Sequence, residues 1–347
     1  MLAITDSSTR RSTAGRHDDT QKAGIRGFTH TIMALDLLRV ITTRDTIGAV
    51  IDADREIDDL GPIVSRDEVY AEMERLLDDA AADLTTAVGD SEVGGEFPFS
   101  LSDGFSGFSV PGTFRTFNRA LRARIAAYQE DYDGVLSALD ESFIDPAEDL
   151  RLGVFHSFST GSGDVQNGLT NVNIFAHPSL ETDAQTNGDD LDARFTTKVV
   201  RVGDEDAGSA LGLASDLKFT PLYPGPAAFV PIIRNEELLL RRAEANWGNG
   251  DLAAAIEDLN IIRTNSGGLE PYAGAVDAEE VEDEILYNRR YSLMFEGGHR
   301  WIDARRFGRI EDLPLDQPTH VYNVRYPLPT DECDGRPNEA ACDIGSQ

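Results

Sequence analysis

Five arginines, Glu296, Asp303, Trp301 and the pair Gly297-Gly298 fall within the 21 residues Asn288–Gly308. Arginine clustered with carboxylates has two uses. It builds an anion-binding or catalytic site, or it forms a structural knot of ion pairs and stacked rings. Upstream of the glycines the pattern is helical over Glu279–Phe295. Tyr287, Tyr291 and Phe295 recur at helical spacing, while Ile285, Leu286, Leu293 and Met294 cover the adjoining face. A helix apolar over so much of its circumference is a buried one, and buried charges need partners. The structural reading is therefore preferred, with Glu296 paired to a buried arginine. Gly297-Gly298 can end the helix, because glycine takes positive φ cheaply. His299, Arg300 and Trp301 then open a second element.

Other chemistries find little support. His156 and His177 are too far apart for a helical metal pair, and neither an HExxH motif nor a serine nucleophile elbow occurs. With 62 acidic residues, some carboxylate pair will always resemble a glycosidase dyad, so that signal carries no information. No cofactor, metal or enzymatic activity is expected. The net charge of −31, with Lys22, Lys198 and Lys218 the only lysines, argues against nucleic acid and against direct binding to anionic lipid. Such acidity suits a halophilic source or simple solubility. Cys333 and Cys342 are nine apart in a polar segment; they form a small disulfide loop or remain two free thiols. The disulfide is expected, because closure over so short a span is easy.

The elements that must position these groups are mostly helical. Residues 1–25 read as a polar leader and Gly27–Thr42 as an amphipathic helix. Ser65-Arg-Asp-Glu68 is a capping box that opens a second helix. Phe114–Gln129 and Tyr132–Phe143 form a helical pair. Residues 146–232 lose the helical period, with β-like pieces such as Phe195–Val202; so long an irregular segment is a functional insert. Helical pattern returns at Asn235–Trp247, Leu252–Asn265 and Glu279–Phe295. The expected organisation is a leader (1–25), a helical half (26–145), a loop-rich lobe (146–232) and a second helical half (233–347).

An internal repeat underlies the two halves. Ala120-Leu-Arg-Ala123, Glu130-Asp131-Tyr132, Val135 and Leu139 superpose, at a shift of 120, on Leu240-Arg-Arg-Ala243, Gly250-Asp251-Leu252, Ala255 and Leu259. The second copy follows the tetratricopeptide pattern: Ala243 and Ala255 let two antiparallel helices approach, and Gly250 turns the chain between them. The first copy is looser, with Glu130 and Val135 at the turn and small-residue positions. The fold class is mainly α, a tetratricopeptide-like helical-repeat scaffold with an irregular insert containing short strands.

Several runs together resemble the SusD/RagB family. They are Ile232-Ile-Arg-Asn-Glu-Glu-Leu-Leu-Leu-Arg-Arg-Ala-Glu-Ala245 and Gly250-Asp251, then Leu259-Asn260, Arg263 and Gly268. Arg289-Arg290, Glu296-Gly-Gly-His-Arg-Trp-Ile-Asp303, Arg306-Phe-Gly308 and Tyr326-Pro-Leu-Pro329 complete the set. The resemblance covers about residues 25–335 and implies four tetratricopeptide-like units bearing a ligand-facing lobe. It implies a non-enzymatic capture of oligosaccharides, or in some members peptides, above a SusC-like TonB-dependent outer-membrane transporter. It also implies a lipid-anchoring cysteine and a surface position. The first 24 residues hold no apolar signal region and no cysteine, so a start upstream of Met1 is expected. The alternative is a soluble tetratricopeptide-type scaffold that binds a protein partner.

Sugar binding needs flat aromatic faces for pyranose C–H surfaces and fixed polar groups for hydroxyls. Two stretches qualify. In 89–112 the candidates are Phe105 and Phe108, beside Phe97 and Phe99. In 155–178 they are His156, Phe158, Asp164, Asn167, Asn171, Asn173 and His177. Tyr223 is a third region's candidate. Each has a structural alternative: phenylalanine as satellite core, asparagine as turn former. Trp247 and Trp301 read as structural.

Overall fold

The computed structural model describes residues 17–52, 55–56, 59–170, 174–203, 208, 215–220, 225–336 and 339–342. The chain divides into two compact units. One comprises Met1–Ser100, Gly107–Ile125 and Asn323–Gln347; the other comprises Leu101–Ser106 and Ala126–Tyr322.

The first unit is built on helix α1 (Asp19–Arg44) against helix α2 (Arg66–Val88). Helix α1 starts before the expected Gly27, because Asp18 and Gln21 form a capping box: the Asp18 carboxylate accepts from Gln21 N at 2.8 Å. Of the expected leader, residues 1–16 lie outside the described residues and 19–25 are helical. Ser65 and Glu68 cap α2 in the same way. The two helices approach closely at Gly27, where a Cβ would lie 2.6 Å from Leu84 Cγ. Helix α3 (Pro111–Tyr128) packs Phe114 and Phe117 into a ring cluster with Phe28, Phe97 and Phe99, at centroid separations of 5.0–6.1 Å. Asn118 donates to Thr31 Oγ1 and Arg119 pairs with Asp78, so these two buried polar side chains are partnered. Cys333 and Cys342 are joined by a disulfide, and Arg336 donates to the Gly61 carbonyl.

The second unit carries the repeat, and its turns agree bond for bond. Between α3 and α4 (Tyr132–Asp140), Glu130 N donates to Ala127 O and Asp131 N to Ala126 O. Between α7 (Asn235–Gly248) and α8 (Leu252–Asn265), Gly250 N donates to Trp247 O and Asp251 N to Asn246 O. Asp131 and Asp251 each cap the following helix through the amide three residues on. Gly250 takes φ +82°, and Glu130, at the same place in the looser copy, takes φ +60°. The backbone is repeated although only one copy has the residue that adopts it cheaply. Tyr132 lies over Gly248, where any Cβ would collide with the ring, and edge-on to Trp247 at 6.2 Å. Helices α7, α8 and α9 (Ala278–Ser292) bury Leu239, Ala243, Ala255, Leu259, Val281 and Ile285 in one cluster.

Between α4 and α7 the chain forms β1 (Gly153–His156), α5 (Ser179–Thr182), β2 (Thr186–Asn187), β3 (Asp190–Leu191), α6 (Ala193–Lys198), β4 (Val199–Arg201), β5 (Leu217–Phe219) and β6 (Val230–Arg234). They pair antiparallel as β1–β6, β2–β3 and β4–β5. The expected strand over Phe195–Val202 is a helical turn followed by a strand of three residues. Asp192 accepts from Arg194 N at 2.8 Å and from its guanidinium, and so holds the local backbone helical.

Helix α9 ends at Ser292 rather than Phe295. Lys198 Nζ donates to Tyr291 O at 2.6 Å and Ser292 O at 2.9 Å, and Arg234 donates to Ser292 O at 3.0 Å, which satisfies its terminal carbonyls. Phe295, Gly297 and Gly298 then take φ of +62°, +120° and +81° before α10 (His299–Arg306).

The buried charges of α7, α9 and α10 form a network around Glu244, which is 0% exposed. Arg289, Arg306 and Arg241 all reach its carboxylate, Arg289 and Arg306 also pair with Asp303, and Glu237 pairs with Arg241. Arg241 and Arg306 lie over the Tyr128 ring at 4.9 and 5.1 Å. Glu296 accepts from Arg234 at 2.6 and 3.0 Å. Removing one member strands its partners in low dielectric. Glu244→Ala and Glu296→Ala are each expected to lower unfolding free energy by about 3–5 kcal/mol in urea titration.

Burial alone would raise the Glu236 carboxyl, but Arg234 and hydrogen bonds from Ser292 and Ser266 outweigh it and hold the group at about 2. Burial likewise pushes Glu244 up, and Arg289, Arg306 and Arg241 hold it well below the carboxylate range. Both folded values lie below the unfolded value of about 4.3. Their stabilisation is therefore complete above that pH and lost as pH falls through the folded values. Stability measured by urea titration is expected to fall steeply below about pH 4, and Glu236→Gln is expected to make that fall shallower.

Candidate functional site

The insert elements are tied to the end of α9 by side chains rather than by extended sheet. Arg194 pairs with Asp192 and donates to Asn288 Oδ1 and Ser292 Oγ; Tyr287 donates to Asp192 at 2.7 Å. Arg263 pairs with Glu284 and Gln185. This clamp fixes the α9–α10 connection against the insert, and a cleft of about 630 Å³ opens there.

Its apolar wall is Phe219, Leu293, Met294, Phe295, Trp301 and Leu313, and its polar lining includes His177, Asp183, Arg290, Arg300 and Asp312. Phe295 meets Phe219 edge-on at 5.1 Å. A phenylalanine in the left-handed region costs on the order of 1–2 kcal/mol, and the sites that hold such residues are often functional. Trp301 is half-buried, with the Arg305 guanidinium 4.8 Å from its ring centre. Arg290 is held by Asp183 at 2.7 Å and Ser179 Oγ at 2.9 Å. Arg300 is different: among the described residues its guanidinium has no hydrogen-bond or ion-pair partner, and burial followed by repulsion from Arg290 lowers its pKa.

Two further clefts lie in the same unit. One of about 690 Å³ is lined by Arg194, Lys198, Arg234, Glu236 and Glu296, whose charges are spent on one another, on Asp192 or on α9 carbonyls. One of about 460 Å³ shares Asp183, Arg290, Arg300 and Asp312 with the aromatic cleft and adds Tyr272.

Of the sequence-derived candidates among the described residues, only His177 lines the aromatic cleft, and both its nitrogens are engaged: Nδ1 accepts from Ser179 N, and Nε2 faces Asp316 at 3.1 Å. His156 and Asp164 are exposed and Phe105 and Phe158 half-buried, and none of the four lines any of these clefts. The turn Asp103–Phe105 packs on β1, with Gly104 against the Phe155 carbonyl. Phe108 is 3% exposed and offers no face to a sugar. Asn167 is 2% exposed and pins the loop by bonds to Pro226 O and Ala228 O, so it too is structural. Phe97 and Phe99 are taken up by the ring cluster of the first unit. Asn171, Asn173 and Tyr223 lie outside the described residues. The sequence did not single out Trp301, Phe295, Arg290 and Arg300 as cleft-lining residues, because nothing in their local pattern separates them from Arg289 and Arg306 inside the knot. Among the described residues, no group of three or more His, Cys, Asp or Glu is placed to hold a metal ion, and no helix is long and apolar enough to cross a membrane.

This scaffold has known counterparts. The SusD family model matches residues 226–339. A SusD superfamily protein from Bacteroides vulgatus superposes with a TM-score of 0.67 at 14% identity, over 96% of this chain and 80% of that one. A SusD-like carbohydrate-binding protein from Bacteroides fragilis gives 0.65 at 14%, over 93% and 81%. A laminarin-binding SusD-like protein gives 0.61 at 17%, over 95% and 81%. No curated protein matches the sequence. The family model covers the C-terminal third of the chain, and the mainly helical, tetratricopeptide-like fold is the one those SusD-like proteins share.

Gly298 holds φ +81° and a Cβ there would meet nothing within 4 Å. Gly298→Ala is therefore expected to cost only conformational strain, about 1–2 kcal/mol, read as a lowered Tm.

Proposed function

We propose that this protein captures oligosaccharides in the Trp301–Phe295 cleft, without turning them over. It then hands them to a SusC-like TonB-dependent transporter at the outer membrane. The observation that carries the reading is the combination of an aromatic wall with a polar rim in a cleft of 630 Å³. Rings accept the C–H faces of pyranoses, and Arg, Asp and Ser groups on fixed elements bond the hydroxyls. The match of the SusD family model over residues 226–339 supports the reading, as does the fold shared with proteins described as carbohydrate-binding and laminarin-binding. The positions of Trp301 and Phe295 are set by the buried ion pairs beneath them, so the site is held before ligand arrives.

Titration calorimetry with a panel of neutral oligosaccharides, laminarin fragments included, tests this. At least one is expected to bind, and Trp301→Ala to weaken it about tenfold or more with Tm unchanged. A panel that fails to bind, or a Trp301→Ala protein that binds as wild type does, overturns the assignment. Incubation with the bound polysaccharide is expected to release no new reducing ends.

A further inference from the structure

Among the described residues Arg300 makes no ion pair with a carboxylate, in a chain that has two acidic residues for every basic one, 62 against 31. The acids near it are otherwise engaged or stand apart. Asp183 holds Arg290, Asp303 holds Arg289 and Arg306, Asp316 faces His177, and Asp312 is exposed on the rim without an ion pair to it. The guanidinium is half-buried and lines both the aromatic cleft and the adjoining one of 460 Å³. A desolvated arginine is costly to keep without a partner, and its planar fork fits a carboxylate through two parallel hydrogen bonds.

We propose that the cleft is selective for acidic oligosaccharides, in which a uronic acid carboxylate pairs with Arg300 while a neighbouring neutral sugar lies on Trp301. The inference rests on the glycan-binding reading of the same cleft. The ligand carries isolated carboxylates rather than a dense run of charge. The net charge of −31 and the rim carboxylates Asp183, Asp312 and Asp316 repel a polyanion, whereas one charge per few sugars meets Arg300 alone. The pKa of Arg300, held down by burial and by Arg290, moves back up when the carboxylate arrives.

The test is calorimetry with glucuronoxylan oligosaccharides, a neutral backbone with single glucuronate branches, and with the same oligosaccharides after carboxyl reduction. Wild type is expected to prefer the acidic form by about 10- to 100-fold, the worth of a charged hydrogen-bonded pair. Arg300→Ala is expected to abolish that preference, so that the acidic and reduced forms bind alike. Arg300→Lys is expected to retain only part of it, because the ammonium lacks the fork. Asp312→Asn is expected to raise affinity for the acidic form. Since Arg300 makes no ion pair among the described residues, its loss is expected to leave Tm unchanged or slightly higher. Equal binding of both forms by wild type, or an Arg300→Ala protein that keeps the preference, overturns the proposal and leaves the glycan-binding reading standing. Failure of both forms and of the neutral panel to bind overturns both.

Discussion

The second unit depends on a balanced set of charges removed from water. Three arginines, Arg241, Arg289 and Arg306, face three carboxylates, Glu237, Glu244 and Asp303. An unpaired charge at this depth would cost several kcal/mol, so the helices can come together only where every member finds its partner. That requirement sets the register of α7 against α9 and α10 more narrowly than apolar packing alone, which tolerates small slips. Arg306 extends the same network to the Ala127 carbonyl and the Tyr128 ring, so the earlier helical pair is drawn into it.

The consequence for the site is mechanical. Arg289 and Arg290 are neighbours on one helix, yet the first is buried in the network and the second faces the cleft. Arg300 and Arg306, on the next helix, divide in the same way. The buried members hold the backbone rigid, and the others are presented on it. Between the two helices the chain passes through left-handed residues at Phe295, Gly297 and Gly298, which turn it sharply enough to place Phe295 and Trp301 on one wall. The strain at Phe295 is tolerated because Glu296, next to it, is anchored to Arg234.

The insert works by the same logic. Among the described residues its strands are short and pair in twos, too little hydrogen bonding to stand alone. Arg194, Lys198 and Arg263 fasten it to α8 and α9, and so the irregular chain becomes a cleft wall rather than a loose loop.

The sequence by itself determined the scaffold. Helical periodicity, capping boxes and the repeat at a shift of 120 are local signals, because 3.6-residue spacing and i to i+3 capping bonds are made within one stretch of chain. The turn at Glu130 was legible only through its copy at Gly250. Its backbone is dictated by the helices it joins, and the non-glycine residue there conceals the conformation. The site was not legible. Phe108 and Asn167 look from sequence as available as Phe295 and Trp301, since composition records that an aromatic or an amide is present, not whether neighbours cover it. The five arginines of Asn288–Gly308 are alike in chemistry and close in spacing. Which of them is spent on a buried carboxylate and which is left facing a cleft depends on residues contributed from 237, 244 and 183. Only the tertiary structure brings those together.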